Sequence, residues 1–151
     1  MLLLTHKSLK GDIFDLPHAI KYVSLLFHST EWRFANISAQ IPVKNPVGED
    51  FFGSVSPSKV YTMKWILHNW LDKDGRRILR NIEKAIVRRE KSILIILEEI
   101  LGTTRSARLS RYGDMKIVVA AIGVERTSDE WIALADSAGW ATTKIYPLRN
   151  A

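Results

Sequence analysis

The sequence contains no cysteine. A chain without cysteine forms no disulfide bond, has no thiolate nucleophile and cannot hold zinc through sulfur. It also has no apolar run of membrane-spanning length. The short apolar start, Met1–Leu4, is followed at once by His6 and Lys7, which is unlike the core of a signal peptide. We therefore expect a cytoplasmic protein with no membrane partner.

Two further absences concern ligands. None of the eight glycines forms a G-x-G-x-x-G cluster, the pattern that lets a main chain approach a phosphate or a cofactor closely. The four histidines show no metal-ligand spacing such as H-x-x-x-H, so we predict no metal site.

The composition is that of an ordinary globular domain. The chain has 151 residues, of which 46% are hydrophobic and 25% are charged, which is room for one domain with a real core. The formal net charge of +6 raises the question of a nucleic-acid partner. Basic and acidic residues alternate along the predicted helix after Asp72, and no nucleic-acid motif accompanies them. We favour a solvated helix face and predict no nucleic-acid partner.

Strand patterns and helix patterns alternate along the chain. We predict five strands: one ending at Asp15, one around Ile37–Val43, and three over Lys59–Leu67, Ser92–Leu97 and Thr142–Leu148. We predict helices over His18–His28 after Pro17, from an N-cap at Asp72 to about Arg89, over Ala107–Ala121, and from Thr127 to Gly139. This alternation predicts an α/β fold with mostly parallel strands and helices on both faces of the sheet.

Particular residues support these predictions. The near-continuous apolar run Ser92–Leu97 is typical of a central parallel strand covered on both faces. Thr127 and Glu130 have the spacing of a capping box, and Gly139 is suited to end the helix that they begin.

The strand predicted over Lys59–Leu67 runs directly into His68. In open α/β sheets, catalytic groups gather at the carboxyl ends of strands, so His68 is a candidate general base. A histidine in this position could equally cap the following helix. Taken without other information, the residues slightly favour the capping role.

Five segments in a fixed order carry a family resemblance: Phe14–His18 (FDLPH), Glu49–Phe52, Lys64–Trp70 (KWILHNW), Leu97–Glu98 and Val124–Thr127. Together they resemble the S-adenosylmethionine-dependent O-methyltransferases of the plant phenolic type, over roughly Lys7 to Leu148. The resemblance implies an incomplete Rossmann-like methyltransferase sheet. It also implies that residues 1–151 form one partial carboxyl-terminal catalytic domain.

The resemblance assigns a catalytic set to His68, Glu98 and Glu125. Phenols ionise with a pKa near ~10, so a base must take the proton as the oxygen attacks the methyl group. The resemblance makes His68 that base and the two glutamates its flanking carboxylates. A carboxylate on one ring nitrogen fixes the tautomer and leaves the other nitrogen to accept the proton. Without the family pattern, both glutamates would be read as surface residues.

The resemblance also implies S-adenosylmethionine as cofactor and a small phenolic acceptor. Asp15 matches the residue that accepts hydrogen bonds from the ribose, and Asp50 matches the one that meets the adenine amine, with Phe51 against the ring. Trp70 would stack on the adenine and Lys64 would contact the cofactor. The alternatives are that Asp15 only caps the helix at Pro17, and that Phe51 and Trp70 only belong to the core.

The chain departs from the family pattern in what it lacks. The family's glycine-rich loop and amino-terminal dimerisation domain have no counterpart, so we expect the chain to begin just after that loop. Two hypotheses follow. The chain is an O-methyltransferase, or it is an inactive fragment that pairs, as a homodimer or heterodimer, with another chain such as a full-length relative.

Overall fold

The computed structural model describes residues 2–22, 40–41, 47–87, 91–101 and 123–147. The chain divides into two compact units, Met1–Ser56 and Pro57–Ala151. Each unit contains one two-stranded parallel sheet. Among the described helices, none has the length and apolar character needed to cross a bilayer.

The first unit begins with helix α1 (Leu2–Thr5), followed by strand β1 (Phe14–Asp15), helix α2 (Pro17–Ile20) and strand β2 (Val47–Gly48). Strand β1 pairs in parallel with β2, with Phe14 opposite Val47 and Asp15 opposite Gly48. The helix predicted over His18–His28 ends instead at Ile20, since residues 21 and 22 form a turn, and residues 23–28 lie outside the described residues. The predicted strand end at Asp15 is confirmed, and α2 begins at Pro17. Proline suits this first helical position because its missing N–H would have no partner there.

The strand predicted around Ile37–Val43 lies mostly outside the described residues. Its two described residues, Gln40 and Ile41, form a turn and a bend instead. The side-chain amide of Gln40 donates to the carbonyls of His6 and Leu9, at 3.0 and 2.9 Å. The main-chain carbonyl of Gln40 accepts from Gly11 N. Gln40 therefore connects three points of the segment between α1 and β1, and these bonds are not those of a strand ladder.

The second unit contains strand β3 (Val60–Lys64), a short 3₁₀ turn (Leu67–Asn69), helix α3 (Asp72–Ala85), strand β4 (Ile93–Leu97) and helix α4 (Ser128–Ser137). Strands β3 and β4 are parallel and in register from the pair Val60–Ile93 to the pair Lys64–Leu97. Their carboxyl ends therefore lie side by side. The predicted parallel α/β arrangement is confirmed in this unit.

Helix α3 buries the predicted stripe, since Ile78, Leu79 and Ile82 are each no more than 4% exposed. Its predicted boundaries are wrong at both ends. The N-cap is Leu71, and Asp72 is the first helical residue. The Asp72 side chain accepts from Arg126 and does not cap the helix. The helix ends at Ala85 and not near Arg89, because Ile86 becomes extended and forms a parallel bridge with Ser58.

The prediction for strand β4 is wrong in one respect, because the strand is not covered on both faces. Leu94 and Ile96 are half-buried, whereas Ile93 and Ile95 are 54% and 40% exposed. The side chains of a strand alternate between the two sides of the sheet, so one face of β4 is packed and the other is accessible.

Helix α4 confirms both of its predicted ends. The Thr127 hydroxyl accepts from Glu130 N, and the Glu130 carboxylate accepts from Thr127 N at 2.8 Å. At the other end, Gly139 has φ +90°, and Trp140 N and Gly139 N donate to Ala135 O and Asp136 O. These two bonds satisfy the last carbonyls of the helix in a Schellman motif.

Two other sequence predictions have different outcomes. The helix over Ala107–Ala121 lies outside the described residues. The strand over Thr142–Leu148 is wrong over residues 142–147, which are exposed and form no ladder within the described part of the chain. Lys144 and Tyr146 stack on each other there, with Nζ 4.5 Å from the ring centroid, and Pro147 has no N–H to donate to a neighbouring strand.

Candidate active site

The chain turns sharply where β3 ends, and this turn carries His68. The predicted strand extended to Leu67, but the ladder ends at Lys64, and Trp65 adopts a left-handed conformation with φ 55°. This region is unfavourable for a bulky side chain. Trp65 N still donates to Leu97 O at 3.1 Å, so the turn begins within hydrogen-bonding reach of β4. The 3₁₀ turn Leu67–Asn69 follows, with His68 at its centre.

Glu98 follows β4 directly and holds this turn. Its Oε1 accepts from the main-chain N–H groups of Ile66 and Leu67, both at 2.8 Å. Its Oε2 lies 2.8 Å from His68 Nδ1. The Glu98 side chain is only 2% exposed and that of His68 is 15% exposed, so the pair is shielded from water. The structure thus brings together two predicted site residues that are thirty positions apart in the sequence.

The Glu98 contact determines which ring nitrogen of His68 can act as a base. A carboxylate accepts hydrogen bonds and does not donate them, so His68 Nδ1 carries the hydrogen. Nε2 then has the free lone pair. Within the described residues, Nε2 has no hydrogen-bond partner. The ring is held by Glu98, whereas a helix-capping histidine would point its ring at main-chain groups of α3.

Glu125 lies on a segment that also meets the turn. Val124 N donates to His68 O at 2.8 Å. The next residues run beside the chain after β4, where Ile100 and Arg126 form a parallel bridge. The Glu125 side chain is buried, with 5% exposure. Glu125 is thus buried beside a residue bonded to His68, and the alternative that it is a surface carboxylate is wrong.

Arg126 was not singled out by the sequence for any role, yet among the described residues it is the largest fully buried side chain, at 2% exposure. Its guanidinium donates to Asp72 Oδ1 from Nε at 2.9 Å and from Nη2 at 2.7 Å. It also donates to the carbonyls of Leu67, Trp70 and Val124. The Trp131 ring lies under it, 4.9 Å from the guanidinium carbon. The only sequence signal was an arginine between a candidate glutamate and a helix N-cap, which is usually a solvated position.

In the first unit, Asp15 is the last residue of β1 and Asp50 follows β2 by two residues. Both therefore lie at the carboxyl ends of the two parallel strands. Glu49 N donates to Asp15 O at 3.1 Å, which joins the two segments. Asp15 Oδ1 accepts from Leu16 N, and Asp50 Oδ1 accepts from Phe52 N. Asp15 makes no side-chain cap bond to α2.

The remaining predicted cofactor residues have different surroundings. Phe51 is half-buried and meets Phe52 edge to face, with centroids 5.1 Å apart. Lys64 and Trp70 belong to the second unit. Lys64 is exposed at the end of β3, and its Nζ lies 4.6 Å from the centroid of the Trp65 ring. Trp70 is half-buried, and its carbonyl accepts from Arg126.

The site pairs a histidine with a carboxylate, the two kinds of group that acid–base catalysis uses most often. Within the described part of the chain, no three His, Asp or Glu side chains are grouped to hold a metal ion. The described residues thus form a parallel α/β fold with a shielded histidine–carboxylate pair at the ends of two adjacent strands.

Comparison with known proteins identifies the family. Residues 4–141 match the O-methyltransferase domain family, and the chain belongs to that family. It is 39% identical to the O-methyltransferase aclM of Aspergillus oryzae over 99% of its own length and 35% of the relative's. It is 34% identical to flavonoid 8-O-methyltransferase 1 of Ocimum basilicum over 93% of its length and 37% of the relative's. The chain thus spans about a third of these relatives.

Solved structures agree on the fold. LaPhzM superposes with a TM-score of 0.83 and 27% identity, over 97% of this chain and 41% of that one. CalO1, a methyltransferase of calicheamicin biosynthesis, superposes with a TM-score of 0.72 and 26% identity, over 91% of this chain and 38% of that one. CalO1 was solved with S-adenosylhomocysteine bound. The predicted Rossmann-like methyltransferase fold is confirmed, and S-adenosylmethionine is the cofactor of this family.

Proposed function

We propose that the protein transfers a methyl group from S-adenosylmethionine to a hydroxyl group of a small phenolic acceptor, with His68 as general base. The observation that carries this proposal is the contact of 2.8 Å between His68 Nδ1 and Glu98 Oε2, at the adjacent ends of β3 and β4. Family membership and the flavonoid methyltransferase of basil support the reaction type and the acceptor class.

The residues of the first unit fit the proposed cofactor. Ribose hydroxyls and the adenine amine are hydrogen-bond donors, and carboxylates accept from such groups. Asp15 and Asp50 each use Oδ1 in a local bond, and within the described residues neither Oδ2 has a partner. These two side chains would hold the ribose and the adenine, with Phe51 against the adenine ring. Lys64 and Trp70 are proposed as further cofactor contacts.

The chemistry can be divided between cofactor and protein. When bound, S-adenosylmethionine supplies an electrophilic methyl group, which leaves sulfur as the acceptor oxygen bonds to it. His68 Nε2 takes the hydroxyl proton as that bond forms. Glu98 keeps Nδ1 protonated and stabilises the imidazolium that results, as the carboxylate does in a serine-protease triad. We propose that Glu125 is the second flanking carboxylate.

The test is methyl transfer by the purified chain from isotopically labelled S-adenosylmethionine to a panel of flavonoids and hydroxynaphthoic acids. We expect His68→Gln to abolish transfer, because a glutamine amide in place of the imidazole does not accept the proton. His6→Gln, a matched change at an exposed histidine, should leave the rate unchanged. A folded His68→Gln variant with full turnover would exclude this mechanism.

The glutamate beside the base provides a second pair of variants. We expect Glu98→Gln to reduce the rate by orders of magnitude, because an amide does not hold the His68 tautomer as a carboxylate does. It should also destabilise the chain by about 1 to 3 kcal/mol, because two main-chain N–H groups share its Oε1. Glu99→Gln, at the exposed neighbour, should change the free energy of unfolding by less than about 0.5 kcal/mol. Equal effects of the two substitutions would contradict the proposed role of Glu98.

A second candidate function is that of a non-catalytic partner of a longer family member. The accessible face of the β3–β4 sheet favours it, since Val60, Ile93 and Ile95 are 53%, 54% and 40% exposed. Apolar residues aligned on one face of a sheet are typical of an interaction surface. Light scattering of the chain alone and mixed with aclM would test this idea. Unchanged masses on mixing would count against it.

A further inference from the structure

The carbonyl groups around His68 converge on one buried cation. Arg126 Nη1 donates to Leu67 O and Val124 O, both at 3.3 Å, and Nη2 donates to Trp70 O at 2.8 Å. Leu67 comes immediately before His68, and Trp70 comes two residues after it. Arg126 therefore joins the two ends of the 3₁₀ turn that carries the proposed base. Val124 also donates its N–H to His68 O, which fixes the turn to the same segment.

Asp72 completes the environment of the guanidinium. A buried cation is tolerated when it is paired and its donors are satisfied. Asp72 Oδ1 accepts from both Nε and Nη2, although the Asp72 side chain is 67% exposed. The two bonds to Asp72 and the three to carbonyls account for the five N–H donors of an arginine. No donor remains for a substrate, so Arg126 does not act on the reacting atoms itself.

The turn is thus held by opposite charges at its two ends. The Glu98 carboxylate accepts from the N–H groups of Ile66 and Leu67 at its amino end. At the carboxyl end, the Arg126 guanidinium donates a hydrogen bond to the carbonyl of Trp70, the residue that closes the turn. This arrangement matches the polarity of the peptide groups in a helical turn. Lysine could supply the charge, but it lacks the planar set of five donors that reaches three carbonyls and one carboxylate.

We infer that Arg126 is a positioning residue for His68. By fixing the main chain on both sides of His68, it keeps Nδ1 against Glu98 Oε2 and so maintains the single tautomer in which Nε2 accepts. This inference rests on the proposed role of His68 as general base. It adds a residue that orients the base through the main chain.

The test compares two carboxylates in the first turn of α3. Asp72→Ala removes the counter-charge of Arg126 at an exposed position, so the variant keeps the helix and its buried stripe. Asp74→Ala is the control, because it removes an equal charge from the same turn and the Asp74 side chain has no partner within the described residues. Arg126→Lys is the direct variant. Circular dichroism establishes that each protein is folded.

The readout is the nitrogen NMR spectrum of the His68 ring in the chain without ligand. We expect one tautomer, with hydrogen on Nδ1, in the wild type and in Asp74→Ala. In Asp72→Ala and in folded Arg126→Lys, both ring-nitrogen signals should move toward the averaged positions of two exchanging tautomers. An unchanged His68 spectrum in Asp72→Ala would overturn the inference, as would tautomer exchange in the wild type.

Kinetics supply a second readout. We expect Asp72→Ala to lower kcat by roughly tenfold to a hundredfold with little change in KM, because a misplaced base affects the chemical step more than binding. The spectrum requires no substrate. Absence of methyl transfer by the wild type would therefore count against the proposed function, whereas an unchanged His68 spectrum in Asp72→Ala would overturn the positioning role alone.

Discussion

At the scale of single residues, Glu98 and Arg126 act on the same turn from opposite ends. The sequence pointed to Glu98 and His68 through the family resemblance, and the structure brings them within 2.8 Å of each other. Sequence analysis assigned no role to Arg126. Nothing local distinguishes this residue from a solvated arginine, since its carbonyl partners Leu67 and Trp70 are more than fifty positions away in the sequence.

Trp65 is the second residue whose state the sequence did not reveal. The strand pattern continued through it, but its φ of 55° turns the chain out of the ladder. A non-glycine residue in this conformation costs about 1 to 3 kcal/mol and persists only where surrounding contacts fix it. Here Glu98 accepts from the next two N–H groups, which holds the turn closed.

The strain at Trp65 predicts that glycine is more stabilising than alanine at this position, which is the reverse of the usual order. We expect Trp65→Gly to be more stable than Trp65→Ala by about 1 kcal/mol, because glycine adopts a positive φ without steric cost. At Lys73, an exposed position in α3, the order should be the usual one, with alanine more stable than glycine by about 1 kcal/mol. Urea unfolding of the four variants measures both differences. Alanine being more stable at both positions would show that Trp65 is not strained.

At the scale of elements, local signals located the helices better than their ends. The stripe Ile78, Leu79 and Ile82 and the capping box at Thr127 were correctly predicted, because both depend on residues a few positions apart. The ends of α3 were not. Its start is altered by the bond between Asp72 and Arg126, and its end by the bridge between Ile86 and Ser58. Both contacts join segments that are distant in sequence.

The capping box of α4 gives a prediction about pH. The main-chain N–H of Thr127, and then its hydroxyl, hold the pKa of Glu130 below the usual value of 4.5. A carboxyl whose pKa is lowered by folding stabilises the folded state above its unfolded pKa, and that contribution is lost as the pH falls through the folded value. We expect Glu130→Gln to cost about 0.5 to 1 kcal/mol at neutral pH, a modest value because the group is exposed.

This cost should shrink as the pH falls through the lowered pKa of Glu130, because the protonated carboxyl of the wild type loses its advantage over glutamine. Urea unfolding of both proteins over a series of pH values measures the difference. Asp129→Asn, at an exposed carboxylate in the same helical turn, is the control and should show a smaller dependence on pH. A cost for Glu130→Gln that stays constant with pH would contradict the role of the ionised capping box.

At the scale of the whole molecule, each of the two units contributes a parallel strand pair whose carboxyl ends carry candidate site residues. Asp15 and Asp50 lie at the carboxyl ends of the paired strands in the first unit, and His68 contacts Glu98 in the second. The division between Ser56 and Pro57 was not predicted from the sequence, which was expected to form one domain. The prediction that residues 1–151 form a single partial catalytic domain stays a prediction.

Cofactor binding is the prediction that concerns the whole chain. We expect calorimetric titration with S-adenosylhomocysteine to show saturable binding that is lost in Asp15→Ala. Asp12→Ala, at an exposed carboxylate three residues earlier, should bind like the wild type. At a ligand concentration a hundred times the Kd, binding should raise the free energy of unfolding by about 2.7 kcal/mol. Failure of a folded wild-type chain to bind would make the non-catalytic partner role the better proposal.

The sequence by itself determined the family, the order of the motifs, the parallel α/β class and the pairing of His68 with Glu98. The α/β class depends on periodicity within short windows, whereas the family and the pairing of His68 with Glu98 were implied by the resemblance that the ordered motifs carry. Only the tertiary structure decided where β3 ends, which oxygen of Glu98 faces which donor, and that Arg126 is buried. Those features depend on main-chain groups from distant segments meeting in space, and a main-chain carbonyl leaves no mark in a sequence.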